Sequence, residues 1–376
     1  MSNHLINTIG KQKMILKKYF LTLFLSLLIG CNKQLTDFNS FEEKLISFAN
    51  VKNIPSISVA VISEGVIVYS NGFGYADIEN NIVATDSTPY RIASITKPIA
   101  SAIILNLVES GKIGLDEKLV NSWPNYTNHF EELESIIFDK YPSFINLIEN
   151  YNFRDGNITL SHQLSHTSEG IPGESFRYSG FLYSQLSNLV DNTSDKNFHT
   201  MVNESIIEKL EMNRSLPQQN DTWKPDVIKS LAKPYYKNDS NNLILGNYPN
   251  PDLGAGAGIV STVLDLAKFD IALDNNEILP PSMKKLAFTP TKLNNGNLAP
   301  YGFGWFIGEY KGNTIVYHTG VQPSAYSGIY VKILDKNLSL IILTNSEDFV
   351  NPYMVELGNG NIGAQPVVKM FLDEYL

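Results

Sequence analysis

Ser94 and Lys97 stand three residues apart in the segment Arg91-Ile92-Ala93-Ser94-Ile95-Thr96-Lys97-Pro98. Positions i and i+3 share a helix face, so on a helix the hydroxyl and the amine can touch. A serine hydroxyl is a poor nucleophile until a base takes its proton, and a lysine kept neutral by burial or by a neighbouring cation is such a base. A helix N-terminus adds partial positive charge that favours a developing alkoxide. The spacing is weak evidence alone, because a capping serine followed by a solvated lysine looks the same. The pair needs partners from elsewhere in the chain.

Those partners follow in order. Ile158-Thr159-Leu160-Ser161-His162-Gln163-Leu164-Ser165-His166-Thr167-Ser168 leads to Tyr178-Ser179-Gly180, and Tyr301-Gly302-Phe303-Gly304-Trp305 precedes His318-Thr319-Gly320. With the serine-lysine segment, these stretches resemble the class C β-lactamases and their relatives among D-alanyl-D-alanine carboxypeptidases, D-aminopeptidases and serine esterases. The resemblance runs from about Ile54 to Asn345. It implies Ser94 as nucleophile, Lys97 and Tyr178 as proton carriers, and Gly180, His318, Thr319, Gly320 and Val321 as substrate-binding positions. It also implies an oxyanion hole made of the backbone N–H groups of Ser94 and Val321. A tyrosine whose pKa is lowered by adjacent cations would exchange protons with Ser94 and the leaving group, giving a relay without a histidine base. No cofactor and no metal is implied.

Two positions depart from the β-lactamase pattern. Gly180 replaces an asparagine whose amide, in the family, helps hold the lysine and the substrate's amide, so acyl transfer in general is better supported than penicillin hydrolysis. His318 replaces a lysine, and an imidazole is only partly charged near neutrality. From this we expect a substrate carboxylate to bind better near pH 6 than near pH 8. The expected substrates are esters, D-amino-acid peptides or β-lactam amides, including peptidoglycan-derived ones. The alternative is a non-catalytic or slowly acylating protein of the same fold that binds or senses cell-wall fragments.

Other patterns carry less. His162 and His166 have the i, i+4 spacing of a zinc pair, but no glutamate follows the first histidine. Gly358-Asn359-Gly360-Asn361-Ile362-Gly363 matches a dinucleotide fingerprint in letters only, since too few residues follow for a βαβ unit.

The elements that must position these residues are legible from periodicity. Ser56–Ile62 and Val66–Phe73, rich in Ile and Val and broken by Ser63-Glu64-Gly65, predict a β-hairpin. Ile99, Ile103, Ile104, Leu107 and Val108 recur at helical spacing up to Gly111, which places Ser94 at a helix start. Pro98 falls within the first turn, where proline is tolerated. Helical patterns recur at 161–165, 181–190 and 262–273, strands return at 303–309, 314–318, 327–333 and 338–344, and 366–375 closes the chain as a helix. Strands at both ends with helices between imply an α/β fold of the β-lactamase/transpeptidase-like kind: an antiparallel sheet flanked by helices, with an inserted mainly helical domain. We expect the α/β domain to comprise 41–90 plus 255–376 and the helical domain 91–254.

The chain's first residues predict a different fate. Lys17 and Lys18 precede an apolar run from Tyr19 to Ile29, too short to span a bilayer and typical of an export leader. Leu28-Ile29-Gly30-Cys31 follows and resembles the lipoprotein cleavage box, so 1–30 is expected to be a signal peptide, Cys31 the lipidated residue and 31–40 a tether. That predicts a lipid-anchored protein of the bacterial cell envelope, outside the cytoplasm. With a single cysteine there is no internal disulfide. The formal charge of −9 becomes −13 once the four lysines of residues 1–30 are removed, which disfavours nucleic acid as a partner.

Overall fold

The structure is a computed structural model that describes residues 37–140, 156–219, 224–249 and 253–376. The proposed signal peptide and Cys31 lie outside the described residues.

The hairpin forms as its sequence predicts. Strand β1 (Ser56–Ser63) turns at Glu64 and Gly65, both with positive φ, into β2 (Val66–Asp77). The edge ribbon β3 (Ile82–Val83) follows. The later strands are β8 (Phe306–Tyr310), β9 (Asn313–Gln322), β10 (Tyr326–Ile333) and β11 (Leu338–Thr344). Together they form one seven-stranded sheet in the order β3-β2-β1-β11-β10-β9-β8. Every neighbouring pair is antiparallel. The seam that joins the two ends of the chain is β1 against β11, with Val59 opposite Ile342.

Alternation along these strands divides their side chains between two faces. Ala60, Ile62, Tyr330, Ile341 and Leu343 point into the main core, which they share with the helices that carry the site. Ile57, Val59, Val61, Ile329, Val331 and Ile342 are buried on the opposite face. There Tyr69, opposite Val61, hydrogen bonds to Glu42 of helix α1 (Asn39–Lys52). The C-terminal helix pairs with α1 through Phe41 and Phe371, whose rings lie 5.2 Å apart.

Strand β4 (Tyr90–Arg91) pairs with β7 (Val260–Ser261), and a small ribbon of β5 (Tyr235–Lys237) and β6 (Leu243–Leu245) stands apart. After β4 a single 3₁₀ turn, Ala93–Ile95, leads into α2 (Thr96–Glu109), which stops before Gly111 at φ +71°. Eleven of the fourteen residues of α2 are buried, so this is a central helix wrapped by others. The inserted region supplies α3 (Leu160–Leu164), α4 (Gly180–Ser184) and α5 (Leu186–Thr193). The run Gly254-Ala255-Gly256-Ala257 is itself a short helix, α6. Helix α7 (Val263–Asp274), capped by Thr262, packs across β1 and β11, and α8 (Pro366–Tyr375) ends the chain.

Apolar side chains of the helical region, among them Trp123, Phe130, Leu186 and Phe198, join the same continuous core as the sheet. The fold is thus α/β, of the β-lactamase/transpeptidase-like type. One cluster of buried charge joins the sheet to α7. Lys332 on β10 reaches Asp270 at 2.5 Å and Asp274 at 3.0 Å on α7, and Tyr330 donates to Asp270 at 2.6 Å. That network ties the sheet to the helix across it.

Candidate active site

Ser94 owes its position to a strained turn. Ala93, just before it, has φ +48°, a left-handed conformation that costs a non-glycine residue on the order of 1 kcal/mol. A small side chain limits the clash, and the turn delivers Ser94 to the mouth of α2 with its hydroxyl partly exposed. Strand β9 passes hard against this turn at Gly320. A Cβ there would lie 2.3 Å from the Ile92 carbonyl oxygen, so only glycine allows the approach. Val321 follows one residue along the strand. Thr319 is buried, its hydroxyl 3.8 Å from the Met354 sulfur.

Lys97 Nζ lies 2.8 Å from Ser94 Oγ and 2.9 Å from the Gly256 carbonyl oxygen. It sits over the ring faces of Tyr178 and Tyr183, 4.9 and 5.4 Å from their centroids. No carboxylate among the described residues pairs with it, and it is completely buried. Burial alone therefore penalises the ammonium and lowers its pKa from 10.5 to about 7. Near neutrality a large share of Lys97 is a free amine beside the serine.

Tyr178 reaches the same point from the loop between α3 and α4, its ring centroid 4.9 Å from Lys97 Nζ and its phenol near enough to Ser94 for that hydroxyl to act on its pKa. The expectation that adjacent cations would lower the Tyr178 pKa fails. Its surroundings are dry, so desolvation dominates and pushes the phenol well above its usual range, with Ser94 only partly opposing. The two groups are thereby set apart: the amine loses its proton readily and the phenol keeps its own.

His318 also departs from expectation. Its Nδ1 lies 2.7 Å from the Thr319 carbonyl oxygen, which only an Nδ1–H can satisfy, so Nε2 is the acceptor for the Tyr301 hydroxyl at 2.9 Å. With both nitrogens engaged and no exposure, the imidazole is held neutral. Burial first, then the Lys97 charge, drives its pKa well below 6.5. It offers no partial cation to a substrate carboxylate, so His318 is not a source of pH dependence in binding between pH 6 and 8.

Tyr301 shows what the Tyr301–Trp305 segment is for. Its hydroxyl fixes His318, Gly304 at φ +84° brings the backbone against α2, and the Phe303 carbonyl accepts from Ser101 Oγ at 2.7 Å. Gly180 opens α4, and a side chain there would meet nothing within 4 Å. Tyr178, Ser94, Lys97, Gly180 and the β9 residues therefore converge on one place. His162 and His166 do not form a pair: His162 Nδ1 closes the capping box at Thr159, while His166 lies beyond the end of α3.

Two contributors were not singled out as site residues from the sequence. Gly256 holds Lys97 through its carbonyl, and a Cβ there would be 2.2 Å from Ser184 Oγ and 2.8 Å from the Gly180 oxygen. The run of glycines signalled close approach without saying to what. Glu169, buried in the loop before Tyr178, is the other; burial raises its carboxyl from 4.5 to about 7 against the opposing Arg177 charge and the Ser179 hydroxyl.

Residues 41–356 match the family model described as Beta-lactamase. The chain belongs to the Beta-lactamase family. Among curated members of that family, Penicillin-binding protein 4* of Bacillus subtilis (strain 168) is 27% identical over 315 residues, 77% of this chain and 68% of its own length. Among solved structures, the octameric penicillin-binding protein homologue from Pyrococcus abyssi superposes with a TM-score of 0.68 at 24% identity, covering 89% of this chain and 80% of that one. The D-amino acid amidase from Ochrobactrum anthropi SV3 gives 0.63 at 18% identity, covering 83% and 92%. These two likenesses are ones of fold. The Beta-lactamase family is one of serine hydrolases.

Proposed function

We propose that this protein acylates Ser94 with the acyl group of an ester or a D-amino-acid amide or peptide and then releases it to water. The observation that carries the reading is the buried Lys97 amine, unpaired with any carboxylate of the described residues and 2.8 Å from Ser94 Oγ. Neutral Lys97 takes the Ser94 proton as Oγ attacks the carbonyl carbon. The oxyanion that forms is received by the Ser94 and Val321 N–H groups, each donor worth about 3 kcal/mol of transition-state stabilisation. Tyr178 passes its proton to the leaving oxygen or nitrogen and recovers one from Lys97, so the acyl-enzyme forms with no net charge gained. Water then retraces the path, giving up a proton to the Tyr178–Lys97 pair while Ser94 is restored.

Gly180 supplies no amide for an acylamino group, and the neutral His318 supplies no cation for a carboxylate. Both favour esters and amino-acid amides over β-lactams. The absent amide also supports a second reading, in which a β-lactam or cell-wall fragment acylates Ser94 and is retained. Intact mass after exposure to a fluorophosphonate, a penicillin and a p-nitrophenyl ester, beside Ser94→Ala, separates them. Ester turnover with no lasting penicillin adduct selects the hydrolase; a stable adduct selects the sensor; no reaction at Ser94 in any arm refutes both.

The sequence of the leader supports acylation of Cys31 and attachment to the bacterial cell envelope, with peptidoglycan-derived amides among the accessible substrates. Metabolic labelling with a fatty-acid analogue should mark the wild type and not Cys31→Ser; equal labelling would refute the anchor.

A further inference from the structure

The hydrolase reading asks Tyr178 to hold its phenol against Ser94, yet Tyr178 sits in an irregular stretch between α3 and α4, where no helix or strand fixes its backbone. We infer that His166 is its positioning residue, an inference that rests on that reading. Two hydrogen bonds from His166 bracket the tyrosine. Its carbonyl oxygen accepts from the Arg177 N–H at 2.8 Å, and its Nδ1 accepts from the Ser179 N–H at 3.2 Å. One bond falls on each side of residue 178. The His166 ring also lies against the Tyr178 ring, 4.4 Å between centroids at a 40° tilt.

The clamp is built at a cost. His166 has φ +57°, uncommon for a residue with a side chain, and it is only 2% exposed. Because Nδ1 accepts, the proton sits on Nε2, and that N–H has no partner among the described residues. A buried unpaired donor costs more than it contributes to folding, so packing alone would be better served by phenylalanine in the same box of Tyr178, Tyr183 and Tyr301. Phenylalanine lacks the acceptor for Ser179. Ser179 in turn caps α4, accepting from the Leu182 N–H at 3.2 Å, so losing the bond frees both the tyrosine and the start of that helix.

The test compares wild type, His166→Phe, His166→Asn and Ser94→Ala in p-nitrophenyl ester hydrolysis. His166→Phe should lower kcat by about 100-fold with KM held within about threefold, the signature of a displaced catalytic group. Asparagine tolerates positive φ and its carbonyl can accept from Ser179, so His166→Asn should recover about tenfold of that loss. A His166→Phe enzyme within about threefold of wild type, or a folded His166→Asn as poor as His166→Phe, would overturn the inference. Nitrogen NMR of histidine-labelled wild type tests the clamp without any variant. It should show His166 neutral and protonated on Nε2 from pH 6 to 8, and a proton on Nδ1 would overturn the clamp even if His166→Phe fails to fold. Should wild type and Ser94→Ala cleave the ester equally, the hydrolase reading fails, and the tautomer alone decides the clamp.

Discussion

Moving the pH across the Lys97 titration is the most direct probe of this site. Its amine is lowered to about 7 because burial penalises the ammonium and no carboxylate compensates. The neutral form, which takes the Ser94 proton, is then about one-tenth of the enzyme at pH 6 and about nine-tenths at pH 8. The sign is fixed: raising the pH strips the proton from Lys97 and raises the rate. We expect kcat/KM for a neutral p-nitrophenyl ester, corrected for hydroxide attack with the Ser94→Ala enzyme, to climb about tenfold over that interval and level off above it. A lysine at its ordinary value would give about 100-fold over the same two pH units, with no plateau before pH 10. Glu169, raised to about 7 by its own burial, is the competing titration, so the profile must be repeated in Glu169→Gln, where the limb should persist. His166 and His318 are held neutral across the range and contribute no limb. A flat profile, a rise that continues past pH 9, or a limb that vanishes with Glu169 would refute the assignment of Lys97 as base.

The same burial predicts a trade of stability for function. Because the folded pKa of Lys97 lies below its unfolded value, its cost to folding is full below about pH 7 and fades as the pH rises toward 10. Lys97→Met removes a cost on the order of 4 kcal/mol at pH 6.5 against two lost hydrogen bonds of about 1 kcal/mol each, so urea unfolding should show an inactive protein about 2 kcal/mol more stable; a less stable one contradicts the burial argument. Gly256→Ala should cut kcat about tenfold or more with secondary structure retained by circular dichroism, since its Cβ must push the Gly256 carbonyl away from Lys97. Lys332→Ala leaves Asp270 buried without its cation and should cost about 3–5 kcal/mol in chemical denaturation, while the pH dependence of residual activity stays unchanged.

The sheet and its hairpin were legible because their strands alternate and the break at Glu64-Gly65 carries residues that accept positive φ, as do Lys311 and Gly312 between β8 and β9. The serine-lysine pair was legible because its partners lie within one helical turn. What could not be read was electrostatic. Nothing in the letters Tyr178 and Lys97 says how dry each would be; the expectation lowered the pKa of both, whereas burial lowers that of Lys97 and raises that of Tyr178. His318 was misread for the same reason, since its role depends on Tyr301 and on its own strand's carbonyl, seventeen residues and one residue away. His166 was legible only as half of a false zinc pair, because the bond that gives it a task is made to Ser179, thirteen residues on.

The pairing of β1 with β11 sets a timetable for the chain. Strand β1 has β2 for company on one side but no neighbour on the other until β11, which pairs Leu338 with Ser63, has been made. The reactive serine is therefore made early, but the strand that must press against its turn at Gly320 comes more than two hundred residues later. A polypeptide made only as far as α7 holds Ser94 without β9, so on the hydrolase reading chemical competence waits for that strand.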